Sequence, residues 1–412
     1  MPGDRRPARI ALIGAIGVAV GSVIRAAHTC SAARRMPPIS APAGPDGPVV
    51  PPPVTVIVPA RNEEDVIDSC LQGLREQQHA PLRIVVVDDA STDRTAALAR
   101  WHTAADPRIT LASTAGPPRG WTGKTHAMHV GVQVAGPGQP GEWLVFLDAD
   151  TRPAPELLPR LLATAAELDA ELVSTPGGPP PNPSAAWGFL VPPGTQLICE
   201  NAAPDGRGRK AFAIGHCILV RRTFFDKVGG WATLAGVGNE DVALATEVRD
   251  AGGITRTVRS LGTLTTHGMD PFGQAWTSFR KSFSVGTRGS VPLLLGAGVA
   301  HLAFGCTPLA TLLAGWRRGH AGLVVAGAVG WFAQGLAHAR AARAMGATVA
   351  SAPAAPAAWM LIGVLFLDAA RRVRSGAMRW KDRSLTTARR DAPGPARRGP
   401  DDADPPPTVR EV

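Results

Sequence analysis

Four short aliphatic runs constrain this chain most: VTVIV (54–58), RIVVV (83–87), RITLA (108–112) and WLVFL (143–147). A segment of helical length follows each one, at 63–78, 91–102, 123–135 and 154–169. A strand that is apolar at every position must be covered on both faces, and strands separated by helices join most simply in parallel. The pattern predicts an α/β domain over about 54–270, built on a mainly parallel sheet with helices on both faces. In such sheets ligands bind beyond the carboxyl ends of the strands, so the residues just after each run are where chemistry is expected.

Those residues are acidic. The first strand runs into Pro59-Ala60-Arg61-Asn62-Glu63, the second into Asp88-Asp89-Ala90-Ser91, and the fourth into Asp148-Ala149-Asp150. One strand-end aspartate is often only a turn or cap residue, and Ser91 is read as a cap for the helix at 91–102. Three acidic ends on one rim point to a binding site. Asp148 and Asp150 offer two hard oxygens suited to Mg²⁺ or Mn²⁺. Context matters here, since Asp402-Ala403-Asp404 repeats the tripeptide in a Pro-rich tail with no strand before it.

Two rival motifs are weaker. LVFLDADT (144–151) has the form of the haloacid-dehalogenase-type phosphohydrolase signature, with Asp148 as nucleophile, but three strands precede it here where that family opens with it. Gly123-Lys124-Thr125 resembles the end of a P-loop, yet the position that must be glycine is Pro118. Lys124 near a helix start remains a candidate for a phosphate or a substrate hydroxyl. Further on, Gly238-Asn239-Glu240-Asp241 opens an expected helix at 239–251. Acidic residues suit a first helical turn; at the mouth of a site they also supply a general base.

The rest of the chain reads as membrane-associated. Residues 10–24 are apolar between arginines, an expected anchor within 1–36, and eight prolines in 37–53 make a stiff linker. Residues 291–315, 319–339 and 344–367 are three uncharged runs, expected to be about three membrane helices within 291–370. An amphipathic, interfacial segment is expected at 271–290. The formal charge of +10 sits in the flanks, +5 in 1–35 and +8 in 371–399. That placement suits a membrane surface better than nucleic acid, and nucleic acid is not an expected partner. The tail 371–412 is basic and Pro-rich, and is expected to be disordered. Five cysteines without C-x-x-C spacing are read as buried apolar residues in a reducing compartment.

The succession VTVIVPARNEEDVI, IVVVDDASTDRTAALA, FLDADT and GNEDVALATEVRDAGG resembles family 2 glycosyltransferases of the GT-A fold. GWTGKTHA, the flanking apolar runs and Trp380-Lys381-Asp382-Arg383 resemble the membrane-bound branch that glycosylates lipids, including carotenoid-acid and hopanoid-associated enzymes. The resemblance implies a GT-A (Rossmann-like) mixed sheet between an N-terminal anchor and C-terminal membrane helices. It implies that Pro59, Arg61, Glu63, Asp88, Asp89, Ser91, Lys124 and Asp148 bind a nucleotide sugar. Asp150, with Asp148, would bind the metal, and Asp241, with Glu240, would be catalytic. The implied reaction is inverting transfer from a UDP- or GDP-sugar to a lipid-like acceptor, at the cytoplasmic face of the cell membrane in a multi-pass protein. The processive Q-x-x-R-W motif is not matched by Gln274-Ala275-Trp276-Thr277-Ser278, so transfer is expected to be non-processive. A base at Asp241 favours a hydroxyl acceptor over a carboxylate, which needs no deprotonation. Two alternatives stand beside this reading: the phosphohydrolase acting through Asp148, and a non-catalytic membrane sensor of nucleotide sugars.

Overall fold

The structure is a computed structural model, and it describes residues 6–42, 51–201, 205–206, 211–377, 379–380 and 383–384. The middle of the Pro-rich linker, 43–50, and the tail from 385 onward lie outside the described residues. In chain order the helices are α1 (Arg6–Arg34), α2 (Ile67–Arg75), α3 (Thr95–Ala105), α4 (Gly123–Ala135), α5 (Leu157–Glu167), α6 (Ala186–Phe189), α7 (Val191–Asn201), α8 (Arg222–Lys227), α9 (Glu240–Asp250), α10 (Phe272–Gly286), α11 (Val291–Arg317), α12 (Ala321–Ala344) and α13 (Ala355–Arg374). The strands are β1 (Val54–Ala60), β2 (Leu82–Asp89), β3 (Ile109–Thr114), β4 (Trp143–Leu147), β5 (Thr151–Pro153), β6 (Leu172–Thr175), β7 (Cys217–Arg221), β8 (Thr255–Thr257) and β9 (Leu264–Thr266), with the short pair Arg379–Trp380 and Arg383–Ser384. The chain divides into two compact units.

The first unit comprises 37–178, 203–267 and the residues from 379. Its seven-stranded sheet has the order β3-β2-β1-β4-β7-β6-β8. β1 pairs in parallel with β2 and β4, β2 with β3 and β6 with β8, while β7 runs antiparallel between β4 and β6. Alternate residues of each central strand face opposite cores. Val56, Val58, Ile84, Val86 and Val145 pack with α2 and α5, whereas Ile57, Val85, Val87, Leu144 and Phe146 pack with α4 and α9. Each such buried side chain contributes about 1.5–3 kcal/mol, which explains why the strands are apolar throughout. In register, Ala60 lies beside Asp88, and Asp89 beside Thr114, so the carboxyl ends of β1 to β3 form one rim. The start of the linker is not a free spacer, because Ile39 N donates to Arg259 O at 2.9 Å and Ser40 N to Thr164 Oγ1 at 2.8 Å.

The second unit comprises 1–36, 179–202 and 268–378. Residues 179–202 therefore group with the helices and not with the 54–270 block. Among the described residues, four of its helices are long and apolar enough to cross a membrane: Leu12–Arg34 within α1, α11, α12 and Ala352–Arg374. The expected fifteen-residue anchor is thus the middle of a much longer helix, and the third run expected at 344–367 starts its helix only at Ala355. Small residues let these helices approach closely, as where Gly298 of α11 meets Gly363 and Leu367 of α13. Arg25 of α1 places its guanidinium 4.0 Å from the ring centre of Trp359. Asp368 accepts from Trp276 Nε1 at 3.1 Å and Arg280 Nη1 at 2.9 Å, tying α13 to α10.

Candidate active site

The turns after β1 and β2 are stitched to each other. Arg61 Nη1 donates to Asp89 O at 2.7 Å and Ala90 O at 3.1 Å, Asn62 N to Ser91 Oγ at 3.0 Å, and Glu63 N to Thr95 Oγ1 at 2.7 Å. Asn62 (φ 49°) and Ala90 (φ 54°) both adopt the left-handed conformation. That conformation is costly for alanine and persists where surrounding contacts over-determine the backbone. These bonds correct one expectation. Ser91 is no helix cap, since α3 begins at Thr95 and its hydroxyl holds the β1 turn. Arg61 braces backbone carbonyls. Asp88 Oδ1 accepts from Ser91 N at 3.3 Å and Asp89 Oδ1 from Thr114 Oγ1 at 3.0 Å, so both carboxylates belong to this rigid rim. Pro59 lies within β1, beside Val87.

A second cluster forms where β4 ends. Lys124 Nζ, one residue into α4, lies 2.6 Å from Asp148 Oδ1 and 3.1 Å from Glu240 Oε1. Thr122 N and Thr125 Oγ1 both donate to Ala235 O, at 2.8 and 2.6 Å, and thereby dock the start of α4 against the loop that leads into α9. This is why Lys124 meets residues more than a hundred positions away. Burial lowers the Lys124 ammonium, but the charges of Asp148, Glu240 and Asp241 outweigh it and raise its pKa. Burial first, and then Glu240, push Asp241 up to about 6, against the pull of Lys124 and a hydrogen bond from Val242 N. The cluster is not sealed, with 31% of the Lys124 side chain and 23% of that of Asp148 exposed.

Asp150 and Glu63 adjoin this cluster. The buried Cys70 thiol is raised by its burial and then by the charges of Asp150, Glu63 and Asp148, so all three carboxylates lie within electrostatic reach of it. The backbone of Asp150 is held by His267 N, which donates to its carbonyl at 2.8 Å. Glu63, Asp148 and Asp150 thus lie near Cys70, Asp241 lies near Lys124, and Asp89 stands on the adjoining rim at Thr114.

The donor set fits a hard divalent cation held jointly with a ligand. Among the described residues no group of three His, Cys, Asp or Glu side chains forms a ready-made cage. Mg²⁺ is commonly bound by one or two carboxylates plus substrate phosphates, which is the chemistry that Asp150 and Asp148 provide. Gly215 was missed from the sequence. A Cβ there would come within 3.1 Å of Lys124 Nζ and 3.3 Å of Asp241 Oδ2. His216 was also missed: its carbonyl accepts from Asp148 N at 3.0 Å, and its Nδ1 accepts from Gly177 N at 3.0 Å. The one available signal was a Gly-His pair directly before a short apolar strand.

Residues 55–229 match the family model described as glycosyl transferase family 2. An uncharacterised glycosyltransferase of Escherichia coli K12, YibD, is 28% identical over 119 residues, 29% of this chain and 32% of that protein. The 4,4'-diaponeurosporenoate glycosyltransferase of Staphylococcus aureus is 38% identical over 97 residues, 24% of each. The chain thus spans less than a third of the length of these curated relatives. Among solved structures, a mannosyltransferase from Pyrobaculum calidifontis in complex with GDP-Man and Mn²⁺ matches with a TM-score of 0.51 at 20% identity, over 89% of this chain and 98% of that one. The likeness establishes the GT-A type of fold.

Proposed function

We propose, for a chain whose residues 55–229 match the glycosyl transferase family 2 model, a membrane-bound inverting transferase that moves one sugar from a UDP- or GDP-sugar to a lipid-like acceptor. The observation that carries this reading is the union of Lys124, Asp148, Glu240 and Asp241 at the carboxyl ends of the strands, with Asp150 and Glu63 beside them. The braced turns after β1 and β2 present Glu63, Asp88 and Asp89 as a pre-organised cradle for the nucleotide. Asp150, with Asp148, would hold Mg²⁺ or Mn²⁺. When bound, the cation supplies Lewis-acid neutralisation of the departing diphosphate.

Lys124 holds Asp148 and Glu240 in place and offers a positive charge beside the position where the diphosphate leaves. Asp241 takes the proton from an acceptor hydroxyl. Attack on the face opposite the leaving group then inverts the anomeric centre. A base with its pKa near the working pH suits that step. The four long apolar helices and the carotenoid-acid acceptor in the name of the S. aureus relative support a lipid-like acceptor. A hydroxyl fits Asp241 better than a carboxylate does. The catalytic unit is assigned to the cytoplasmic face of the cell membrane, where nucleotide sugars are made.

The test is release of nucleoside diphosphate by the full-length protein in lipid nanodiscs, from a panel of nucleotide sugars with Mn²⁺ and extracted lipids. Asp150→Ala should abolish release. Phosphate release from simple phosphoesters that depends on Asp148 would replace this reading with a hydrolase. Thermal stabilisation by nucleotide sugars without turnover would replace it with a sensor.

A further inference from the structure

We propose that α13 does not cross the membrane but is a re-entrant half-span, returning the chain to the side to which α12 delivered it; this rests on the membrane reading above. The depth of each helix follows from its neighbours. α11 and α12 run antiparallel, with Gly315 against Leu323 and Val324, Gly327 against Pro308 and Leu312, and Gln334 Nε2 donating to Phe304 O at 2.9 Å. α1 runs in the same sense as α12, Ala15 and Ala19 clustering with Leu323 and Ala326, and Ala26 with Ala333 and Ala337. Phe304, Gln334 and Ala26 therefore share one level, near the middle of the 27-residue α11.

α13 begins at that level. Gly305 backs onto Pro356 O and Met360, and the rings of Trp359 and Phe304 meet edge-on at 5.4 Å. From there α13 ascends along the first half of α11 only, past Leu302 and Gly298, to Asp368 and the arginines of its last turn. Its apolar part, 355–367, rises about 20 Å, short of the roughly 30 Å hydrocarbon thickness. The descending limb is 345–354. Ser351 Oγ pairs with His338 Nε2 at 3.0 Å, and Trp331 Nε1 donates to Pro353 O at 2.7 Å. Irregular backbone at membrane depth is tolerated where protein satisfies its polar groups. Trp331, Gln334 and His338 lie three and four residues apart on α12, and two of them serve that limb.

Re-entrance also resolves the charge pattern. It places Arg371, Arg372 and Arg374, in the last turn of α13, on the side of Arg34, Arg35 and Arg343, leaving Arg6, Arg9, Arg317 and Arg318 opposite. A full crossing would put the first three with the last four and reverse the asymmetry that orients membrane proteins.

The test uses the full-length protein with a protease-cleavable tag at one of three places: between Ala43 and Gly44, between Arg318 and Gly319, or after Val412. Each tagged form is first shown to release nucleoside diphosphate, or to bind nucleotide with unchanged affinity, and is then digested in inverted membrane vesicles. The 43/44 tag and the tag after 412 should be cut together, with the 318/319 tag protected until detergent is added. The same pairing with the sides exchanged supports re-entrance equally. A tag after 412 that behaves like the 318/319 tag overturns it. If the 43/44 and 318/319 tags behave alike, the membrane reading itself fails, whatever the enzyme activity shows.

Discussion

Replacing Asp241 by Asn keeps the shape of the side chain and removes its basicity. A positioned base contributes about 10²–10⁴-fold, so turnover should fall by that factor, equivalent to about 3–5 kcal/mol of barrier. The donor KM should hardly move, because the nucleotide cradle at β1 and β2 is separately braced. The pH profile is the sharper readout. Burial and Glu240 raise the Asp241 carboxyl to about 6, while Lys124 lowers it. The ionised form is the base, so the rate should rise with pH through about 6 and fall about tenfold per unit below it. Lys124→Met removes the cation 3.1 Å from Glu240 and 2.6 Å from Asp148. The acidic limb should then move to higher pH, beyond any loss in rate. The assay is nucleoside diphosphate release at saturating donor from about pH 5 to pH 8. Undiminished turnover in Asp241→Asn, or a limb that moves to lower pH in Lys124→Met, would refute the base assignment and its electrostatic origin.

Two further outcomes concern stability. A Cβ on Gly131 would run into Ile57 Cγ2 and come within 3.2 Å of Val87 Cγ2, both in central strands, so Gly131→Ala should destabilise by about 1–3 kcal/mol. An unchanged melting temperature would show that α4 can lift off the sheet at little cost. Asp368→Ala removes the acceptor of Trp276 and Arg280 and should lower the melting temperature in detergent, since a hydrogen bond to a charged group contributes about 1.5–3 kcal/mol. Affinity for nucleotide should stay as it was. A loss of that affinity with melting unchanged would contradict the structural role given to Asp368.

Much of the sheet was legible because its signal is local. The run 143–147 is β4 to the residue, and α4 spans the expected 123–135. An apolar strand and an amphipathic helix declare themselves within ten residues, and the rule that chemistry gathers beyond strand ends then picks out Glu63, Asp88, Asp89, Asp148 and Asp150. Helix starts were read too early where side chains turn out to serve loops. Ser91 has the composition of a cap, but its hydroxyl is taken by Asn62 N from another strand end, a partner no local pattern reveals. Gly215 escaped for the same reason, since its need to be small arises from Lys124 and Asp241, which reach it from two other elements.

Periodicity and composition thus account for the strands, the apolar helices and the acidic rim, each set by residues that are neighbours along the chain. Long-range packing accounts for what those groups can do. Docking of α4 against the loop before α9 brings a lysine to Asp148 and Glu240 beside Asp241, and the approach of Gly305 to Pro356 starts α13 halfway along its neighbour. Charge coupling and membrane depth both depend on distance in space, and one-dimensional order does not carry distance.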